Sequence, residues 1–332
     1  MLQTFIYTIS PVIMLFIFMT IGFVLVKSKI LSHDSSKTLA KLETWVFAPA
    51  LSFMTMANSF TVPKLAEHAT NLMFSVILAV LVLILGISIA PLFVKEKCYE
   101  RGIYQYALAF ANLGYMGDPL VQALFGEGVL GAYKLFCLPL SIAIYTWGIG
   151  VLTPGSGNGI RAALKRALNF PTLSMLAGML VGITGALDYI PDFAVNALNL
   201  LKACMGPVAM LLAGTIVAKY NFVRLLKNKK VYFASVLRLS ILPALIIAIL
   251  YGVKILLSPL LGIDISAAPI YFAFFATALP LGMNTVVFPE SYGGDPEPGA
   301  SMAIISSTLS VISIPIFYTI LTELIACPFT VL

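Results

Sequence analysis

The stretches Phe110-Ala-Asn-Leu-Gly-Tyr-Met-Gly-Asp-Pro119 and Phe275-Ala-Thr-Ala-Leu-Pro-Leu-Gly-Met-Asn284 interrupt two apolar runs at matching places in the two halves of the chain. Phe110, Ala111 and Gly117 match Phe275, Ala276 and Gly282 at one constant offset. Proline and glycine free backbone N–H and C=O groups from the helical ladder, and hydrocarbon offers those groups no partner. Two broken spans in corresponding positions therefore point to a cavity between internal repeats, where a secondary transporter holds its substrate.

The 332 residues around these stretches are 60% hydrophobic and only 10% charged, with a mean hydropathy of +1.00. That composition excludes an ordinary soluble domain and describes an all-α polytopic membrane protein. Apolar runs long enough to cross as helices lie near 4–26, 37–59, 67–94, 101–125, 128–151, 171–187, 191–219, 230–257, 266–289 and 297–325, which predicts ten transmembrane helices with the fourth and ninth broken. The first run has no basic leader and no small-residue cleavage site, so it reads as a retained span rather than a signal peptide. Cys98, Cys137, Cys204 and Cys327 are isolated and read as free thiols.

The halves repeat beyond the breaks. Phe47-Ala-Pro-Ala-Leu51 and Met205-Gly-Pro-Val-Ala209 pair Pro49 with Pro207, and Gly131-Ala132 pairs with Gly299-Ala300. Five spans per copy is an odd number, so the second copy enters the membrane in the opposite sense. The predicted organisation is a first five-helix repeat over 1–151, a cytoplasmic link over 152–170 and an inverted second repeat over 171–332. If the first span runs inward, the inner loops collect Lys27, Lys37, Lys95, Arg161, Lys219, Lys230 and their basic neighbours, while only Lys64 is plainly outside. The asymmetry puts both termini on the outer face of a plasma or inner membrane. The net charge of +6 is then a topology signal, and the basic loops lack the aromatic or motif support of a nucleic-acid surface.

The run Ala109-Phe-Ala-Asn-Leu-Gly-Tyr-Met-Gly-Asp-Pro-Leu120, the following Leu124-Phe-Gly126, Asn169-Phe-Pro171, Ala278-Leu-Pro-Leu-Gly282 and Tyr292-Gly-Gly294 resemble the auxin efflux carrier family, which holds the plant PIN carriers and bacterial malonate-type permeases. The likeness covers nearly the whole chain. The large central loop of the plant members is replaced here by Pro154-Gly-Ser-Gly-Asn-Gly159 and a short basic stretch. The resemblance implies a scaffold of helices 1, 2, 6 and 7 that often dimerises, and a transport domain of helices 3–5 and 8–10 in which the broken helices cross. It maps the crossing prolines onto Pro119 and Pro280. Asp118 departs from the plant pattern, which has an apolar residue there, and this argues against auxin as the substrate.

Two half-helix N-termini meeting in the bilayer supply unpaired N–H donors and partial positive charge, a setting that holds a carboxylate without a full cation. Asn112, Thr277 and Asn284 add neutral donors and acceptors as candidate substrate ligands, with Lys202 and Arg238 as basic candidates; Gly114, Gly117, Pro119, Pro280 and Gly282 shape the breaks. Arg238, near an inner end, has snorkelling as its alternative. Asp118 is an ionisable group inside a span and a coupling candidate for H+ or Na+, with helix capping as the alternative. Ser306, Ser310 and Ser313 lie at helical spacing, either along a polar path or bonded back to their own helix.

The predicted function is secondary transport of small organic anions, mono- or dicarboxylates, by elevator-like alternating access at the helix 4/9 crossing. A cation/proton exchanger of related fold and a membrane sensor without net transport remain the alternatives. No cofactor and no metal site are expected, and neither is an enzyme: Gly114-Tyr-Met-Gly-Asp118 is not a Gly-x-Gly-Asp protease motif, and no phosphate loop or His-Glu-x-x-His occurs.

Overall fold

The computed structural model describes residues 2–63, 69–96, 98–153, 170–220, 227–292 and 294–329. Most of the expected cytoplasmic link, with Arg161 and Ser156, lies outside the described residues, as do Lys64 and His68. Among the described residues the chain is all-helical, apart from a single isolated antiparallel bridge between Ala111 and Leu281.

Among the described residues, four helices are long and apolar enough to cross a membrane: Ala69–Leu92, Asp192–Lys219, Lys229–Leu261 and Glu297–Leu324. A fifth span is formed if Leu113–Phe136 and Leu138–Leu152, bent by 53° at Cys137, are taken as one. Helices also occupy the remaining apolar runs: Leu2–Lys27 and Phe170–Thr184 are continuous, and the others are interrupted. The fourth run stops as a helix at Ala109 and restarts at Leu113, and the ninth stops at Thr277 and restarts at Asn284. Gly126, with φ at +80°, kinks Asp118–Phe136 where the fourth and fifth runs were expected to meet. That backbone region is cheap for glycine and strained for other residues.

Short π turns interrupt the helices at Glu43–Phe47, Leu113–Gly117, Ile144–Gly148 and Leu237–Ile241. Three of them end two residues before a proline: Pro49, Pro119 and Pro243. Proline has no N–H for the carbonyl one turn back and its ring crowds that carbonyl, so the helix widens by one residue and re-pairs the freed group. In the widened turn Ala48 N–H bonds Glu43 C=O, five residues back.

Two helix pairs approach with their backbones nearly touching. Leu2–Lys27 lies along Asp192–Lys219, where Gly22 faces the Leu211 carbonyl and Gly214 faces the Met19 carbonyl. Ala48–Ser59 lies along Phe170–Thr184, where Gly178 faces the Phe53 carbonyl. Water supplies no driving force between helices in lipid, so such contact through small residues is what holds them together. The opposite face of Leu2–Lys27 exposes Ile6, Ile13, Ile17, Ile21 and Val24, a helical stripe suited to acyl chains.

Candidate functional site

The two breaks meet each other. Ala111 bridges Leu281, and Asn112 N–H bonds the Pro280 carbonyl at 3.0 Å. Other freed groups are closed by side chains from neighbouring helices. Ser306 Oγ accepts from Leu281 N–H at 3.1 Å and donates to Met302 C=O at 2.6 Å, Tyr133 Oη donates to Phe275 C=O at 3.2 Å, and Arg238 Nη1 donates to Leu108 C=O at 3.1 Å. This satisfies the requirement that broken backbone at membrane depth find partners inside the protein. Gly117 allows the close approach: a Cβ there would sit 2.7 Å from Leu279 Cδ1 and 2.8 Å from Tyr133 Oη.

Beside the bridge is a cavity of about 70 Å³. On the same measure one water needs roughly 10–15 Å³, so the space holds about five waters, the size of a small carboxylate. Asn112, Gly114 and Tyr115 line it from the first break and Gly282, Met283 and Asn284 from the second. Ala48 and Ser52, Pro171 and Met205 close it from three other helices. The first turns of both restarting helices lie here, and part of their N–H groups is closed locally: Leu113 bonds Ala111 C=O, Thr285 bonds Gly282 C=O, and Val286 and Val287 bond Met283 C=O.

Within this cavity Lys134 Nζ donates to Asp118 Oδ2 at 2.6 Å, with the two side chains 15% and 4% exposed. Asn284 Nδ2 donates to Tyr106 Oη at 2.7 Å. Asn112 Oδ1 is buried with no hydrogen-bond partner among the described residues. The lining therefore combines a neutralised ion pair and two carboxamides at the partial positive charge of two helix starts, which can receive an anion's oxygens while the ammonium is shared between Asp118 and that anion.

The other expected site residues lie elsewhere. Thr277 is buried and its hydroxyl bonds back to Ala273 C=O at 2.6 Å, so it closes its own helix. Lys202 pairs with Glu127 at 2.7 Å in a second, open cavity of about 530 Å³ that Thr55, Asn58 and Gln122 also line. Arg238 does not snorkel: it is fully buried, because its guanidinium caps a carbonyl at the end of Tyr99–Ala109. Pro119 lies past the first break, two residues into the helix that follows, and packs on Gly206, whereas Pro280 is in the second break itself. Asp118 does not cap a half-helix, since the π turn Leu113–Gly117 runs straight into its helix and leaves no helix start there. Ser310 bonds back to Ser307 C=O, and Ser306 bonds back to Met302 C=O while also serving the break.

Lys134, Tyr106, Tyr115 and Glu43 escaped the sequence argument. Lys134 and Glu43 carried a usable signal, an ionisable residue inside an apolar run.

The membrane transport protein family matches residues 7–162 and 158–318 of the chain. The chain belongs to that family, the auxin efflux carrier family of the sequence resemblance. It is similar to an uncharacterized transporter of Methanocaldococcus jannaschii, 25% identical over 299 residues that cover 88% of this chain and 92% of the relative. It is also similar to an uncharacterized transporter of Methanothermobacter thermautotrophicus, 23% identical over 325 residues that cover 94% and 98%. With its apolar helices, this makes the chain a multi-pass membrane protein of a transporter family.

Proposed function

We propose that the chain is a secondary transporter of small organic anions, mono- or dicarboxylates, which bind where the two broken helices cross and move by elevator-like alternating access. The observation that carries it is the buried cavity at the Ala111–Leu281 bridge, where Lys134, Asn112 and Asn284 meet the first turns of two helices. Lys134 and the helical N–H groups hold the carboxylate, and the carboxamides orient it. Thr277 and Lys202 drop out of this ligand set.

The ten-helix inverted repeat belongs to the same proposal. Pro119 follows Ala111 by eight residues and Pro289 follows Leu281 by eight, as a twofold axis through the bridge requires. Two of the glycine-mediated helix pairs, first with seventh and second with sixth, exchange under that axis. The cavity lies between helices 2, 6 and 7 and the crossing, a boundary suited to sliding of a transport domain (helices 3–5 and 8–10) on a scaffold that dimerises. Outer termini, a cytoplasmic 152–170 link and a plasma or inner membrane location follow from the basic loops.

The test is binding. Malonate and acetate added to the purified protein at about 100 times their Kd stabilise it by about 2.7 kcal/mol, read as a raised apparent Tm. Lys134→Met abolishes the rise. No stabilisation by any of a panel of mono- and dicarboxylates refutes the substrate class.

A further inference from the structure

Glu43 has no exposed surface, and neither of its carboxyl oxygens has a hydrogen-bond partner among the described residues. It opens the π turn Glu43–Phe47 inside the second apolar run. An ionised carboxylate stripped of water and left without a partner is costly by several kcal/mol, so this place suits a carboxyl that holds a proton. The helix keeps it inward: Ser36, Ala40, Glu43 and Ala50 are buried, while Lys37 and Lys41 are exposed.

The surroundings hold little charge. Asp192–Lys219 packs against both Ser35–Leu42 and the π turn; its Lys219 lies near Asp34 at the inner end, and its Lys202 is paired with Glu127. Its Asp192 and Cys204 are the other titratable residues. Phe170–Thr184, packed on the same turn, has no titratable residue. Asn284–Tyr292 packs on Ser35–Leu42, and its sequence contains Glu290 and Tyr292. Tyr115 lies within electrostatic range of Glu43 and lines the crossing cavity. Ala48 and Ser52, further along the same helix, line that cavity too.

We infer that Glu43 carries a coupled proton, bound in this conformation and exchanged when the crossing moves against its helix. The inference rests on the transporter proposal. Asp118 is less suited to the task, because its carboxylate is already paired with Lys134 at 2.6 Å and protonation gives up that pair. Protonating Glu43 removes an uncompensated charge instead. An anion in the neighbouring cavity favours the protonated carboxyl, and by linkage the protonated carboxyl favours the anion to the same degree. A monoanion and one proton then cross as a neutral load, and a dianion such as malonate with one proton as a single negative charge.

Two measurements test this. In proteoliposomes, wild type exchanges radiolabelled malonate at equal pH and accumulates it under an imposed pH gradient. Glu43→Gln, which mimics the protonated form, is expected to keep exchange within about twofold and to lose gradient-driven accumulation at least tenfold. Wild-type accumulation by Glu43→Gln overturns the inference, as does a wild type that exchanges malonate but gains nothing from the gradient. Infrared spectroscopy of the protein in lipid needs no substrate: a protonated-carboxyl C=O band at neutral pH is expected in wild type, shifted in Glu43→Asp and missing in Glu43→Gln. Absence of the band from wild type, or its unchanged survival in both variants, overturns the inference. A wild type with the band but no malonate exchange counts against the carboxylate proposal while supporting the buried proton.

Discussion

Neutralising Lys134 alone should be far more damaging than neutralising Lys134 and Asp118 together. The pair is 2.6 Å long and its carboxylate is 4% exposed, so Lys134→Met leaves an anion in a site with no other cation bonded to it. Breaking a buried pair from one side costs about 3–5 kcal/mol. The ammonium is 15% exposed, so after Asp118→Asn it is partly rewetted and keeps an amide oxygen to bond; the cost there falls to about 2 kcal/mol. In Asp118→Asn/Lys134→Met both charges are gone, and replacement of buried pairs by neutral side chains is often neutral or better. The double variant should therefore recover at least about 2 kcal/mol relative to Lys134→Met. At roughly 2 °C per kcal/mol, Lys134→Met loses about 6–10 °C in apparent Tm and the double variant regains about half or more. Scanning fluorimetry of the three purified variants reads this directly. A double variant no more stable than Lys134→Met would refute a coupled buried pair.

Asn112→Ala and Asn284→Ala should each weaken malonate binding by about 1–2 kcal/mol, or roughly 5–30-fold, with expression and Tm little changed; titration calorimetry checks this, and normal binding by both misplaces the site. Gly214→Val puts side-chain atoms against the Met19 carbonyl and should cost at least about 1–3 kcal/mol, whereas a Cβ at Gly252 meets nothing within 4 Å and Gly252→Ala should stabilise by up to about 1 kcal/mol. Equal Tm values for the two would show that the first and seventh helices do not touch as described. A cysteine at Ser156 should react with an impermeant maleimide from the cytoplasmic side only, and labelling from outside would reverse the orientation drawn from the basic loops.

Hydropathy and the two polar interruptions made the membrane class and the place of the breaks legible, because both depend on short-range chemistry. The second break does contain Pro280, but the first, at Phe110–Asn112, contains no proline, and Pro119 instead follows a π turn. Letter matching could not find this, since a helix tolerates proline by widening as well as by breaking. Asn112 and Asn284 lie in the cavity because they are adjacent to the breaks. Lys202 and Thr277 do not line it, because side-chain partners across the fold, Glu127 and a carbonyl of the same helix, decide where they point. Lys134 meets Asp118 only after the chain has turned at Gly126, a contact that no spacing rule shows.

The most direct measurement of the central claim is malonate counterflow in proteoliposomes loaded with unlabelled malonate, comparing wild type with Asn112→Ala/Asn284→Ala. The account predicts transient accumulation of labelled malonate by wild type and its loss in the double variant, with both proteins equally folded. Counterflow unchanged in the double variant, or absent from wild type for every mono- and dicarboxylate tried, would contradict it.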